Sequence, residues 1–253
     1  MYGRLGDIPT RLRYFKRHAD TISQFLRHVK NEGYRDGAMY TDRQLIWLIA
    51  EDGDAIDPAT LKLLRDTGLP FIYFAHGPTR SYGLAQWNVL LSTIEFVRDN
   101  FLGDGPVLSV DDDARIDPEL LRRIWQVKRA ILWQVGNLRD AEYESTREGP
   151  VLENGTVVRW HVSWNPKRIF PIDMLGFAIN SSMIGPGKPL HGQNMDVIPQ
   201  AWHVPDKRIS APLDTAPESE FLEKIYSSRE CIEYLCRDTV AEQCFYAWHN
   251  DWF

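Results

Sequence analysis

Three consecutive carboxylates, Asp111, Asp112 and Asp113, close the apolar run Val107-Leu108-Ser109-Val110. Adjacent carboxylates repel one another unless a cation or hydrogen-bond donors compensate. Hard oxygen ligands suit Mn2+ or Mg2+, and a metal there can bridge a diphosphate and neutralise the charge that builds on it as it leaves. The bland alternative is a solvated turn that caps the next helix, yet Asp117 ahead of Pro118 already has the residue type for that cap. Glu218 has a structural reading too, because Thr215-Ala216-Pro217-Glu218 completes a capping box. Asp173, between Ile172 and Met174, is expected half-buried and in need of a partner, for which Arg168 is the candidate. Trp164 reads either as a cover on the core or as a platform for a sugar ring, and His249 beside Trp248 as a satisfied structural histidine or a ligand contact.

The elements around these residues suggest an α/β chain in which strands and helices alternate through the first half, giving a largely parallel sheet. The pattern predicts a helix over Ala19–Lys30, a strand over Gln44–Ala50, a helix opened by Asp57-Pro58, a strand over Pro70–Ala75, a helix over Leu84–Val97, a strand over Val107–Val110 and a helix after Asp117-Pro118. An internal echo runs through it. Leu48-Ile49-Ala50-Glu51-Asp52 and Leu108-Ser109-Val110-Asp111-Asp112-Asp113 are each an apolar strand, an acidic end, a short loop and a capped helix. Ligands of open α/β sheets bind beyond the carboxyl ends of the strands, so both acidic clusters fall on the binding side. Further on, Asn154-Gly155 marks a hairpin within Val151–Trp164. Met174–Ile184, Glu218–Tyr226 and Arg229–Arg237 read as helices, Gln243–Trp248 as a last strand, and Gly185–Thr215 as a long loop of the kind that covers sites.

A length of 253 residues fits one larger α/β domain. The net charge of −6 argues against a duplex nucleic-acid binder, although a local basic groove remains compatible with it. Cys231, Cys236 and Cys244 match no usual zinc spacing and are expected reduced and buried, which together with the lack of a signal region suits a cytoplasmic protein. No stretch approaches the ~18 apolar residues of a membrane span.

Four ordered segments resemble the family 43 glycosyltransferases, the inverting β-1,3-glucuronyltransferases of eukaryotic proteoglycan synthesis and the related plant xylan proteins. They are Val110-Asp111-Asp112-Asp113 with Leu132-Trp133-Gln134-Val135; Glu153-Asn154-Gly155-Thr156-Val157-Val158 through Trp164; Arg168 through Ala178; and Glu218-Ser219-Glu220-Phe221-Leu222 with Trp248-His249. The resemblance implies a GT-A fold over 1–253, with a Rossmann-like nucleotide-sugar half of mixed sheet near 1–116 fused to a smaller acceptor half near 117–253. It also implies a UDP-sugar donor, a saccharide or glycoconjugate acceptor, and Mn2+ or Mg2+ as cofactor. It would make Asp113 the metal ligand, Asp112 the ribose contact, Asp111 a donor contact, Asp52 the uracil contact and His249 a diphosphate contact. Glu144, Trp164, Arg168 and Asp173 would surround the sugars. Glu218 would be the base that takes the acceptor's proton, on the logic of inverting chemistry.

Three departures separate the chain from the glucuronyltransferase pattern. Two donor-side arginines are replaced by Tyr82 and Trp87, with Arg80 a candidate substitute, and the family's His-Thr-Arg ending reads His249-Asn250-Asp251. The loop 185–216 is also unlike its family equivalent. A buried sugar carboxylate favours bidentate arginine, so these losses point to a neutral donor sugar. A catalytically silent sugar-binding subunit and a transferase acting on modified nucleic-acid bases are the competing expectations, and a homodimer stays open.

Overall fold

The structure is a computed structural model that describes residues 8–32, 45–78, 84–137, 146–162, 165–184, 217–226, 232–239, 242 and 244–249. Helix α1 (Ile8–Glu32) comes first. It is longer than the predicted Ala19–Lys30 because its apolar stripe of Phe15, Ala19, Ile22 and Phe25 continues back toward the N-terminus and is buried. Strand β1 (Trp47–Glu51) pairs in parallel with β2 (Phe71–Ala75), and α2 (Pro58–Thr67) connects them. The predicted cap is present: the Asp57 side chain accepts from the Thr60 amide at 2.7 Å, and Gly68 ends the helix with φ 68°. Helix α3 (Leu84–Val97) follows, continued by a π-helical turn at Arg98–Leu102.

The remaining elements are β3 (Pro106–Leu108), β4 (Arg115–Ile116), α4 (Pro118–Ile124), β5 (Ala130–Leu132), β6 (Gln134–Asn137), β7 (Thr146–Glu153), β8 (Thr156–His161), β9 (Phe177–Asn180), α5 (Pro217–Ile225), β10 (Glu233–Tyr234) and β11 (Phe245–His249). Besides the β1–β2 pair there is a four-stranded sheet, β10-β5-β9-β3, and a five-stranded one, β4-β11-β6-β7-β8. The sheets are mixed rather than largely parallel: β9 runs antiparallel to both β3 and β5, whereas β11 runs parallel to β6 and antiparallel to β4. Helix α1 lays its apolar stripe on a core shared with Ala114, Ile116, Leu120, Val135 and Ala247. A second core joins α3, β5, β9 and α5 through Leu91, Leu132, Phe177 and Phe221.

Two expected helices are strands. Within Met174–Ile184 only short 3-10 turns flank β9, whose Phe177, Ala178 and Ile179 are buried. An apolar run covered on both faces has no period that separates strand from helix. Arg229–Arg237 contains β10 instead, because Glu233 and Tyr234 are recruited beside Ile131 and Leu132 at the sheet edge. Of the cysteine expectation, burial holds for Cys236 and Cys244 and the reduced state does not. Cys236 and Cys244 form a disulfide across a short loop, with Cα atoms 6.3 Å apart, inside the range a bridge requires. Cys231 lies outside the described residues, as does the loop 185–216. Among the described residues no helix is long and apolar enough to cross a membrane.

Candidate functional site

The aspartate triplet forms a tight turn between β3 and β4, closed by the Ala114 amide donating to Asp111 O at 3.1 Å. Asp111 is exposed, Asp112 half-buried and Asp113 buried. Burial, with the like charges of Asp113 and Asp111, pushes the Asp112 carboxyl up to about 6. Arg11 of α1 opposes that charge. Its guanidinium lies 2.6 Å from Glu51 and 3.7 Å from Asp112, joining the end of β1 to the triplet. Glu51 also accepts from the Tyr73 hydroxyl, and burial followed by that bond pushes the phenol up to about 12, so it stays a donor.

The backbone of the turn is held from the same helix. Arg17 donates to Asp113 O at 3.0 Å and to Ala114 O, and His18 Nε2 lies 3.1 Å from Asp112 O. A carbonyl only accepts, so His18 Nε2 carries the proton. Burial holds the imidazole down to about 4, which keeps it neutral. Asp52 follows β1 in the corresponding acidic end. Its carboxylate accepts from Gln86 Nε2 at 2.9 Å, and a Cβ on Gly77 would collide with that carboxylate and with the Gly53 amide. The second acidic end therefore has a fixed carboxylate with a glycine packed against it.

Strand pairing brings His249 to the triplet. In β11, Ala247 is opposite Ile116 and Trp248 opposite Arg115, so one further step sets the His249 backbone level with Ala114, the residue after Asp113. Trp248 is held between Arg115, whose guanidinium lies 5.2 Å from the ring centroid, and Gly136, where any Cβ would meet the indole.

A second group of acids surrounds Arg168. Its guanidinium donates to Glu148 at 2.6 Å, to Ile172 O at 3.1 Å and to Asn165 O at 3.2 Å. The two charged side chains are only 4% and 5% exposed. Glu148 stands opposite Val135 of β6, whose other flank is Ala247 of β11, so it lies two strand spacings, roughly 10 Å, from β11. Asp173 caps the 3-10 turn Met174–Gly176 by accepting from the Leu175 amide at 3.0 Å. Glu218 is in the first turn of α5, with Pro217 ahead of it. Ser219 ties that turn to the Arg168–Asp173 loop by accepting from the Phe170 amide at 3.1 Å while donating to Glu223 at 2.7 Å. Burial is the main reason the Glu218 carboxyl is pushed up to about 8. Asp173 and Glu148 add to the rise, and Arg168 opposes it.

Of the sequence-predicted residues, Asp111, Asp112, Asp113 and the His249 backbone meet at the triplet's turn, Asp52 follows Glu51, which Arg11 joins to that turn, and Arg168, Asp173 and Glu218 make up the second group. Arg80, Tyr82, Glu144 and Trp164 lie outside the described residues, as do Thr215, Asn250 and Asp251. Trp87, at a position expected near the donor, is in the core, edge-on to Phe221 at 6.1 Å. Glu148, rather than Asp173, is the carboxylate that grips Arg168 most closely, and sequence reasoning missed it. It also missed Arg11, Arg17 and His18, although Arg11 and His18 are seven residues apart and so share a helix face. Among the described residues, three potential metal-ligand side chains converge at Cys236, Glu242 and Cys244, two of which are bonded to each other, and not at the triplet. The triplet thus offers hard oxygen donors without a complete protein cage. That fits a cation whose remaining ligands are phosphate oxygens and water, the usual situation for Mg2+.

The sequence model of glycosyltransferase family 43 matches residues 38–252. The chain is similar to the rat protein named galactosylgalactosylxylosylprotein 3-beta-glucuronosyltransferase 1, at 33% identity over 154 residues, which are 55% of this chain and 45% of that protein. The human protein of the same name matches with the same identity and coverage. Mouse galactosylgalactosylxylosylprotein 3-beta-glucuronosyltransferase 3 is 29% identical over 158 residues, 54% of this chain and 46% of that protein. The chain spans about half the length of the curated relatives it matches.

Proposed function

Because this chain belongs to glycosyltransferase family 43, we propose that it is a metal-dependent inverting glycosyltransferase of GT-A type. It moves a sugar from a UDP-sugar to a hydroxyl of a saccharide or glycoconjugate. The observation that carries the reading is Glu218, a carboxyl held up to about 8 by burial at the head of α5, where general-base chemistry would use it. A base with a raised pKa is a stronger proton acceptor once ionised. The Glu218 carboxylate takes the proton of the acceptor hydroxyl as that oxygen attacks the anomeric carbon, and UDP departs from the opposite face. Asp173 and the Glu148–Arg168 pair keep that carboxyl in place and set how readily it ionises.

At the triplet, Asp113 would hold the cation, with Asp111 and Asp112 toward the donor sugar and ribose and Asp52 toward the base. Mn2+ or Mg2+, when bound there, neutralises charge developing on the diphosphate. The His249 backbone, level with Ala114, supports a role for this residue at the same diphosphate. The donor is read as a neutral sugar. Trp87 is in the core against Phe221, so the position offers no cation to a sugar carboxylate.

A screen of UDP-sugars for UDP release, with and without Mn2+, tests the proposal. Release is expected with at least one neutral donor, only with metal, and is expected to be lost in Asp113→Ala. Tight UDP binding without release from any donor would replace this reading with that of a silent binding subunit.

A further inference from the structure

Helix α1 (Ile8–Glu32) ends before residue 38, where the family match begins, yet it supplies the donors that hold the triplet's turn. We infer that α1 is a brace for the nucleotide-binding turn, with Arg17 its central positioning residue; the inference rests on the proposed role of that turn. Three successive carbonyls, those of Asp112, Asp113 and Ala114, each accept from an α1 side chain. A trans peptide is planar, so each C=O aimed at α1 turns the following N–H away from it. The Asp113 and Ala114 amides are turned from α1 in this way, and the Ala114 amide closes the turn on Asp111 O at 3.1 Å. The contacts with α1 thus decide which way the turn presents its amides and, through them, its acids. Arg11 extends the brace to a second strand end, because it meets both Glu51 and Asp112.

Packing alone does not require these groups. Ala19, Ile22 and Phe25 already seat the helix on the main core, and Phe15 packs with Ile49 and Leu64. Arg17 and His18 are directed instead at the carbonyls of one turn, and a half-buried guanidinium there is an added desolvation cost unless the turn repays it in position.

The test uses the full chain and two readouts. Calorimetric titration of UDP with Mn2+ present is expected to give a Kd about tenfold higher for Arg17→Met than for the unaltered protein. The kcat at saturating donor should stay within about threefold, the pattern of lost ground-state organisation rather than lost chemistry. Arg17→Lys should recover most of the affinity. Arg13→Ala, which alters an exposed neighbour stacked on Tyr14, should leave it unchanged. Amide hydrogen exchange over residues 111–115 should quicken in Arg17→Met whether or not nucleotide binds. A folded Arg17→Met protein with unchanged exchange overturns the brace, and so does unchanged Kd where the parent binds UDP. Absence of UDP binding by the parent with faster exchange in the variant sinks the proposed function and leaves the brace standing. If Arg17→Met does not fold, Arg11→Gln, which removes the ion pairs to Glu51 and Asp112, takes its place. Faster exchange and a higher Kd then support the brace, and no change in either overturns it.

Discussion

The triplet and the Glu218 group both crowd carboxylates, and they relieve the crowding in different ways. At the triplet one helix supplies Arg11, Arg17 and His18, and two of these are spent on backbone: Arg17 and His18 hold carbonyls, while Arg11 faces the Asp112 carboxylate. Around Arg168 the guanidinium is taken up by Glu148 and two carbonyls, out of solvent. With Asp173 and Glu148 near it and burial against it, Glu218 is relieved by a proton. One region thus leaves acids at an exposed turn and the other holds a carboxyl whose proton is tightly bound, the two arrangements on which the proposed transfer draws.

The largest expected effect lies at Glu218. Glu218→Gln should lower kcat by about 10²–10⁴-fold, the usual scale for a general base, while UDP binding survives. In the parent, kcat/KM should climb with pH and level off above about 8, following ionisation of this carboxyl. Near-normal turnover by the variant would remove Glu218 from the chemistry. Next is Arg168→Ala. It removes the buried ion-pair partner of Glu148, and urea unfolding should show a loss of about 3–5 kcal/mol. A loss no larger than that of a surface substitution would mean the pair is better hydrated than its burial indicates. The most gradual effect, spread over several pH units, is on stability against pH. The folded-state pKa of Glu218 is raised from 4.5 to about 8, so the native protein binds this proton more tightly than the unfolded chain does. The resulting stabilisation is complete below pH 4.5 and is lost as pH rises through about 8. Glu218→Gln lacks that loss, so its melting temperature should gain on the parent's across this interval and match the parent's trend below it. Parallel melting curves across the whole range would contradict the raised pKa.

Local chemistry was the most legible part of the sequence. Asp57 and Asp117 announce their helices by residue type, and both side chains accept from amides in the first turn. Asn154-Gly155 announces its hairpin, and the two residues take φ of 53° and 82°. What escaped depended on partners distant in the chain. β9 is a strand because β3 and β5 flank it, and β10 is one because β5 has an open edge. Glu148 escaped for the same reason: nothing nearby in sequence says that Arg168 folds back onto it. The triplet's acids were legible as a group, but the helix that holds them was not, since its polar residues look like an ordinary solvated face until the turn is packed against them.

The placement of β11 has a consequence for how the molecule is made. Its five residues, Phe245–His249, insert between β4 and β6, which lie more than a hundred positions earlier. A chain emerging from the ribosome therefore displays β4 and β6 as two unjoined edges, with the triplet's turn hanging from one of them, until residue 249 has been added. Closing that gap is a late, long-range event, of the kind that folds slowly and leaves strand edges open to other chains. Forms that lack β11 should consequently be the species that aggregate, since their β4 and β6 edges stay open.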